Sequence, residues 1–467
     1  MKGSTGRLTS GGNQGRVRAG SPLAEITSVD STPSRFRSLL RTARKSAVAV
    51  FLLGAQTALA VSTFNPQIRL GYRNGDQWEP AIAADTHGHV YVLYPQYGAV
   101  PGCRSCTAPS MNLLVSDDNG VSWQDSKPIL PFPTGQFDPQ IVVEPVNQTV
   151  YASWLQNNKR DIVVARSLDY GRSWSFSWAQ RGREETDKPV LAVRGADVYV
   201  GFNHEERFVV AASHDAGQTF RTFLVNPNAE PGSSLAGGAA VDPSGNIFFG
   251  WTAYAREQMQ TRPASIYISR STDGGRSWST SLLDQSSAPP ECEEQGCGTG
   301  FLGAQISVAS DSAGSLYAVW NAGALSGGSE RIYFSSSTTA GVTWSARKGM
   351  SRAAQGVEHA FPAIVAGPPG DVRIAWMDAR QSESGHPDHP LWNTFYREST
   401  NGGATWEDEV QLSAPVRNYG YILPNGFRFP FGDYFGLALD NNGNTHAVWG
   451  EGQDYKSPGS IWYTRGR

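Results

Sequence analysis

The hydrophobic pattern of the chain is dominated by short apolar strands that end in an aromatic residue. Such a strand occurs seven times, and its copies end at Tyr94, Trp154, Phe202, Trp251, Trp320, Trp376 and Trp449. Each copy follows a strand of small apolar residues and a tight turn, as in PAIAADTHGH (80–89). A third strand such as SIYISRS (265–271) and a fourth such as SKPIL (126–130) come after it. Short strands separated by turn residues, without helical stretches between them, predict an all-β fold.

Units of four antiparallel strands that recur along one chain are typical of a β-propeller. We therefore predict a single propeller of seven four-stranded blades, with a six-bladed ring plus an insertion as the alternative. The seventh unit ends with its third strand, SIWYTRGR (460–467), and NPQIRLG (65–71) precedes the first inner strand. The N-terminal strand is therefore predicted to complete the last blade, which closes the ring and leaves no open sheet edge.

A second repeat, beginning with SDDNGVSW (116–123), lies between the third and fourth strands. Asp bonds nearby backbone N–H groups and Gly accepts a positive φ, so the repeat is predicted to be a hairpin turn whose aromatic packs on the blade. We interpret it as structural. Its other copies, of which the last two lack the aspartate, are SLDYGRSW (167–174), SHDAGQTF (213–220), STDGGRSW (271–278), STTAGVTW (337–344) and STNGGATW (399–406).

Residues 1–60 differ from the rest and are predicted to be a disordered basic leader with a signal peptide. RFRSLLRTARK (35–45) is basic, and AVAVFLLGAQTALA (47–60) is an apolar run that ends in small residues. This order is typical of a secretory signal that is cleaved after Ala60. The protein is thus predicted to be secreted, extracellular or periplasmic, with the propeller over 61–467. An uncleaved anchor or a buried strand is the alternative for the apolar run.

Charge and hydropathy narrow the range of partners. The net charge of −3 over 467 residues argues against nucleic acid or an anionic membrane surface as a partner. No run of 18 apolar residues exists, so no stable membrane span is expected. We expect a monomer.

Four cysteines occur in two close pairs, CRSC (103–106) and CEEQGC (292–297). In an exported chain we expect two local disulfides, Cys103 with Cys106 and Cys292 with Cys297, that fasten long loops. Zinc ligation by the four cysteines is the alternative, and a redox C-x-x-C site is a further one.

The connections between blades and the loops between second and third strands are predicted to share one face, opposite the repeated turns. We expect Glu79, Asp138 and the nearby Asp187 to cluster there, close to the channel axis. Close carboxylates can act as general acid and base or bind a structural Ca²⁺; no other cofactor is expected. Alternatively, they cap the inner strands and bond loop amides. Aligning the units places one residue of each inner strand at this mouth of the channel: Glu79, Asp138, Lys188, Ala236, Gln305, Phe361 and Tyr434.

The repeated turns resemble the Asp boxes of the sialidase-like (BNR-repeat) propellers, and the resemblance covers residues 65–467. It implies an arginine cluster that clamps a substrate carboxylate, because arginine bonds a carboxylate bidentately. It also implies a tyrosine nucleophile, for which Tyr434 is the candidate, with Glu205 or Glu206 as its partner. The candidates for the arginine cluster are Arg73, Arg207, Arg256, Arg380 and Arg428.

The sequence also departs from that family. Sialidases have six blades, and their first inner strand begins Arg-Ile-Pro where this chain has Trp78-Glu79-Pro80. The loop between Pro95 and Met111, where the resemblance places an acid, contains no carboxylate.

Two functions therefore remain open. The first is exo-acting hydrolysis of a glycoside, with a glycan or glycoconjugate as the substrate. The second is non-catalytic binding of a glycan or protein, with aromatic residues as stacking platforms. The candidate platforms are Trp78, Tyr97, Tyr254, Trp392 and Phe431.

Overall fold

The computed structural model describes residues 62–225, 232–255, 263–290, 303–383, 386–414, 432, 434–452 and 459–467. Within these ranges the chain forms strands and turns but no helix, and therefore none that is long and apolar enough to cross a membrane. The strands form seven sheets of four antiparallel strands each. The leader, the predicted signal peptide, Cys292 and Cys297 lie outside the described residues.

Each sheet is one blade, with an inner, a second, a third and an outer strand. The inner strands of blades 1 to 7 are Ala81–Ala84, Phe137–Val143, Thr186–Arg194, Gly232–Val241, Ile306–Ser310, His359–Ala366 and Gly436–Leu439. The second strands are Val90–Gln96, Val150–Gln156, Asp197–His204, Ile247–Ala255, Leu316–Gly323, Val372–Glu383 and Thr445–Gly452. The third strands are Ser110–Ser116, Asp161–Ser167, Arg207–Ser213, Ala264–Ser271, Glu330–Ser337, His386–Ser399 and Gly459–Gly466. The outer strands are Lys127–Pro128, Ser175–Gln180, Arg221–Leu224, Ser279–Ser286, Lys348–Gly349, Val410–Gln411 and, in blade 7, Ile68–Leu70.

The seven blades close into a ring. The inner strands of consecutive blades contact one another, and the inner strand of blade 7 contacts that of blade 1. The outer strand of blade 7 comes from the N-terminal side of the propeller, with Ile68 opposite Tyr463 and Leu70 opposite Ile461. The predicted seven-bladed propeller, closed by its N-terminal strand, is confirmed.

Apolar side chains fill the gaps between neighbouring blades. In the described residues, seven hydrophobic clusters occupy the seven gaps, so each blade buries both faces only because it has two neighbours. The aromatics that end the second strands are all buried, with Trp154, Trp376 and Trp449 at 0% exposure. The pattern that dominates the sequence is therefore the core between the blades.

The repeated turns have the predicted local structure. In blade 4, Asp273 accepts hydrogen bonds from the N–H and the hydroxyl of Ser277, at 2.9 and 2.5 Å. These bonds lower the pKa of Asp273 to about 2. Gly275 has a φ of 80°, and the indole N–H of Trp278 donates to its carbonyl at 3.0 Å. Where Asn401 replaces the aspartate, it accepts the equivalent N–H, that of Thr405, at 2.9 Å.

A disulfide joins Cys103 and Cys106 in the loop between the second and third strands of blade 1. This pairing is one of the two predicted from the sequence. It fastens a loop on the face where the candidate site lies.

Candidate active site at the channel mouth

The inner strands are distorted where they reach the mouth of the channel. Glu79, Asp138, Lys188 and Phe361 have left-handed φ values of 53°, 51°, 50° and 56°, and each precedes a proline. The pairing register of blades 2, 3 and 6 shifts at this point. A bulge re-aims a side chain, and a left-handed non-glycine residue costs about 1–3 kcal/mol. Strain of this kind clusters at functional sites.

The inner strands of all seven blades line a central cavity of about 210 Å³. Alignment of the seven repeated units places seven residues at the mouth, and five of them line the central cavity: Asp138, Lys188, Ala236, Gln305 and Tyr434. The predicted position of these residues therefore agrees with the structure.

Lys188 of blade 3 contacts residues of three other blades at the mouth. Its Nζ lies 3.8 Å from Oε1 of Glu79 and 3.9 Å from Oδ1 of Asp138, and 4.8 Å from the ring centre of Tyr434. The side chains of Lys188, Glu79 and Asp138 are only 11%, 2% and 8% exposed. A Cβ on Gly432 would lie 2.3 Å from Cγ of Glu79, so the chain at Gly432 packs closely against that carboxylate. Glu79 therefore binds Lys188 and is not open to a substrate.

Asp187 is the more accessible carboxyl group of the site, with 27% of its side chain exposed. Burial raises the pKa of Asp187, the charge of Lys159 opposes this shift, and the neighbouring Asp138 adds to it. Nζ of Lys159 donates to Oδ1 of Asp187 at 3.2 Å. Burial alone would lower the pKa of Lys159, but the charges of Asp187 and Asp138 raise it, so this lysine stays protonated. Asp187 is thus a partly exposed carboxyl that holds its proton to a higher pH than usual.

Lys159 links Asp187 to a pair of aromatic rings, Tyr97 and Phe137, which we call the aromatic wall. The rings of Tyr97 and Phe137 are 6.3 Å apart and meet edge to face, and both are partly exposed. Lys159 lies 6.0 Å from the ring centre of Phe137, which connects this wall to the carboxyl of Asp187. Trp78 stacks on the other side of Tyr97 at 3.9 Å and holds that ring in place.

The predicted arginine cluster is not assembled by its described members. Arg380 donates to the carboxylates of Asp378 and Glu409 within blade 6. Arg73 is exposed, and its charge acts on Arg69 in the outer strand of blade 7. Arg207 is exposed at the start of the third strand of blade 3. Arg256 and Arg428 lie outside the described residues, and a described cation in contact with the Tyr434 ring is Lys188.

Tyr434 reaches across the mouth from blade 7 to blade 2. Its hydroxyl donates to the carbonyl of Pro139 at 3.4 Å. Glu205 and Glu206, its predicted partners, are exposed in the turn between the second and third strands of blade 3. The four predicted catalytic residues that the structure brings to the mouth are therefore Glu79, Asp138, Asp187 and Tyr434.

Three of the predicted stacking platforms are instead core residues. Trp78, Tyr254 and Trp392 are 0%, 2% and 1% exposed, so their rings are not open to a ligand. Tyr97 is partly exposed, as a platform requires, and Phe431 lies outside the described residues. The prediction was wrong for the buried three because they fill the spaces between strands and loops.

Two residues of the site, Lys159 and Phe137, were not identified from the sequence. Lys159 follows Asn157 and Asn158, and all three have left-handed φ values in a tight turn. Its place is fixed by Thr186 of blade 3, whose N–H donates to the Lys159 carbonyl at 2.7 Å. This contact between blades leaves no local signal in the sequence. Lys188, by contrast, shares with Glu79 and Asp138 a position immediately before a proline.

In the described part of the chain, no group of three or more His, Cys, Asp or Glu residues is arranged to hold a metal ion. The carboxylates at the mouth are instead bound to lysines.

No protein-family model matches the chain, and no curated protein matches its sequence. The crystal structure of a protein of unknown function from Dyadobacter fermentans DSM 18053 superposes with a TM-score of 0.50 and 15% sequence identity. The match covers 88% of this chain and 100% of that one. The Hadza microbial sialidase Hz136 is 13% identical, with a TM-score of 0.45, covering 84% and 65%. YCF48 bound to D1 peptide is 14% identical, with a TM-score of 0.43, covering 86% and 94%.

At these identities the similarity concerns the fold alone. The chain is a seven-bladed β-propeller, and the resemblance predicted from its sequence is confirmed at the level of the fold alone. A propeller fold supports many unrelated functions, so the function has to be argued from the site.

Proposed function

We propose that the protein is an exported glycoside hydrolase whose general acid is Asp187. The observation that carries this proposal is a partly exposed carboxyl group with a raised pKa, which Lys159 connects to a partly exposed aromatic wall. A general acid must hold its proton near the working pH, and burial is a common way to achieve this. Aromatic rings beside such an acid are suited to hold the apolar face of a sugar.

In this proposal a sugar ring lies against Tyr97 and Phe137. Asp187 donates its proton to the glycosidic oxygen as the bond to the leaving group breaks. Tyr434, whose ring lies beside Lys188, is the proposed nucleophile. Its phenol oxygen bonds the anomeric carbon and releases its proton to solvent; water then hydrolyses this bond, and Asp187 takes back a proton from that water. Glu79 and Asp138 act indirectly, since their nearly buried carboxylates hold Lys188.

The proposed substrate is a glycoside of a neutral sugar. Among the described residues at the mouth, Lys159 is paired with Asp187, and Lys188 forms ion pairs with Glu79 and Asp138. Lys188, which already balances two carboxylates, is a poor clamp for a further one. This arrangement favours a neutral sugar over a sugar that carries a carboxylate.

Export is part of the proposal. The disulfide between Cys103 and Cys106 supports it, since disulfides persist in oxidising compartments. The basic and apolar segments before residue 61 have the order of a secretory signal.

A second candidate is a non-catalytic glycan-binding propeller. The observation that favours it is the ion cluster of Lys188, whose partners belong to blades 1, 2 and 7. Such a cluster can serve to clasp the ring rather than to catalyse a reaction. The aromatic wall would then act as a binding surface alone.

The test is release of fluorophore from a panel of fluorogenic glycosides, sialosides included, by the chain 61–467. We expect turnover of a neutral glycoside that falls at least about 100-fold in Asp187→Asn, the range typical of a lost general acid. The matched control is Asp197→Asn, an exposed aspartate at the opposite end of blade 3, which leaves turnover unchanged. Turnover of sialosides alone contradicts the neutral substrate, and no turnover by folded protein favours the binding propeller.

A further inference from the structure

A second cleft, of about 360 Å³, lies between blades 1 and 2 on the side of the repeated turns. Its floor is formed by Leu113 and Val115 of the third strand of blade 1. One wall consists of three partly exposed aromatics of blade 2, namely Tyr170, Trp174 and Phe176. We call this feature the blade 1–2 cleft. Its volume is within the range of about 300–1,000 Å³ that small-molecule sites occupy.

The cleft exists because the outer strand of blade 1 is short. Lys127–Pro128 pairs only with Asn112 and Leu113, whereas the third strand of this blade has seven residues. The outer strand of blade 2, Ser175–Gln180, has six residues and covers its neighbour more fully. The uncovered part of blade 1 leaves room beside the repeated turn of blade 2.

The aromatic wall of the cleft is held in a fixed arrangement. The indole N–H of Trp174 donates to the Gly171 carbonyl at 3.1 Å. Tyr170 stacks on His89 of blade 1 with 4.3 Å between ring centres. A wall that is already ordered loses little conformational entropy when a ligand binds.

The wall formed by blade 1 is polar. Gln124, Asp125 and Lys127 line it and are exposed. Gln124 donates from Nε2 to Asp117 at 2.6 Å, which places an amide and a carboxylate side by side. The cleft therefore has aromatic rings on one side and hydrogen-bonding groups on the other.

The charges of the cleft balance one another. Asp117 and Asp125 are opposed by Lys127 and Arg172. A polyanionic or polycationic ligand gains nothing from such a lining. A neutral ligand with one apolar face and many hydroxyl groups fits both walls. We propose that the blade 1–2 cleft is a second glycan-binding site, which takes a neutral pyranose and does not depend on catalysis at the mouth.

Titration calorimetry with cellotetraose, mannotetraose and chitotetraose tests this proposal. The full propeller carries Asp187→Asn throughout, so that no ligand is consumed. We expect at least one tetrasaccharide to bind, with affinity at least tenfold weaker in Trp174→Ala and largely kept in Trp174→Phe. The control is Trp406→Ala, since Trp406 makes the same indole bond, to Gly403, in the turn of blade 6. This control leaves affinity within twofold.

Asp125→Ala gives a second readout should Trp174→Ala fail to fold, because Asp125 is exposed on the polar wall. We expect it to weaken binding at least threefold. The proposal is overturned if none of the three sugars binds, if Trp174→Ala folds and binds with unchanged affinity, or if Asp125→Ala leaves the affinity unchanged. It is also overturned if binding is lost only in Tyr97→Ala, which would place the sugar at the mouth.

Discussion

Replacing Lys188 by methionine removes the cation that holds two nearly buried carboxylates at the mouth. Glu79 and Asp138 are only 2% and 8% exposed, so little water can replace the lost partner. Removing one member of a buried ion cluster typically costs about 3–5 kcal/mol. With an unfolding entropy of about 2.1 cal/mol/K per residue, a propeller of about 400 residues should lose roughly 4–6 °C in Tm.

The pH dependence of this loss identifies its cause. Without Lys188, burial should raise the pKa of Glu79. Near neutral pH the folded variant then keeps a proton on Glu79 that the unfolded chain has already released. Such a group contributes stability below its unfolded pKa and loses it as pH rises through the folded value. The variant should therefore be closer to the wild type at pH 5 than at pH 8.

Scanning calorimetry at pH 5 and pH 8 measures both effects. The matched control is Lys348→Met, an exposed lysine on blade 5, which should change stability by less than about 0.5 kcal/mol. Adding Glu79→Gln to Lys188→Met should recover a large part of the loss at pH 8. Equal destabilisation at both pH values, or no recovery in the double variant, would refute the reasoning.

Three further predictions concern other parts of the ring. Burial raises the pKa of Glu451 to about 8, so stability should fall as pH rises from about 4.5 to about 8, and Glu451→Gln should flatten this calorimetric profile. Ser116→Ala removes the hydroxyl that accepts the Gly120 N–H at 2.8 Å, so chemical denaturation should show a free energy of unfolding about 1–2 kcal/mol lower. An unchanged free energy of unfolding would contradict a structural role for the turn. Deleting residues 62–70 removes the outer strand Ile68–Leu70 and exposes the third strand of blade 7 as a sheet edge, so light scattering should detect aggregation. A monomeric, fully stable product would contradict closure of the ring by this strand.

The features predicted correctly from the sequence are those with a local, repeated signal. Trp154, Trp376 and Trp449 end strands of one pattern, and each fills a gap between blades. Closure of the ring was also predictable, because the last unit lacks a fourth strand and Ile68–Leu70 lies before the first inner strand. Alignment of the seven units was enough to place Glu79, Asp138 and Lys188 at the mouth.

The remainder of the site depends on contacts between blades. Arg380 looked like a substrate ligand, but its neighbours Asp378 and Glu409 bind it within blade 6. Trp78 lies in a loop and Trp392 in the third strand of blade 6, and both are buried against neighbouring aromatic rings. Burial and ion pairing at such positions follow from the packing of distant segments, which no local pattern encodes.

Leaving-group dependence tests the central claim most directly, namely that Asp187 is a general acid. Hydrolysis by the wild type and Asp187→Asn is measured on glycosides of one sugar, with a 2,4-dinitrophenyl or a methyl leaving group. Dinitrophenolate leaves without a proton, so the variant should lose about 10²–10⁴-fold on the methyl glycoside and far less on the dinitrophenyl one. Equal losses on both substrates, or turnover unaffected by Asp187→Asn, would contradict the account.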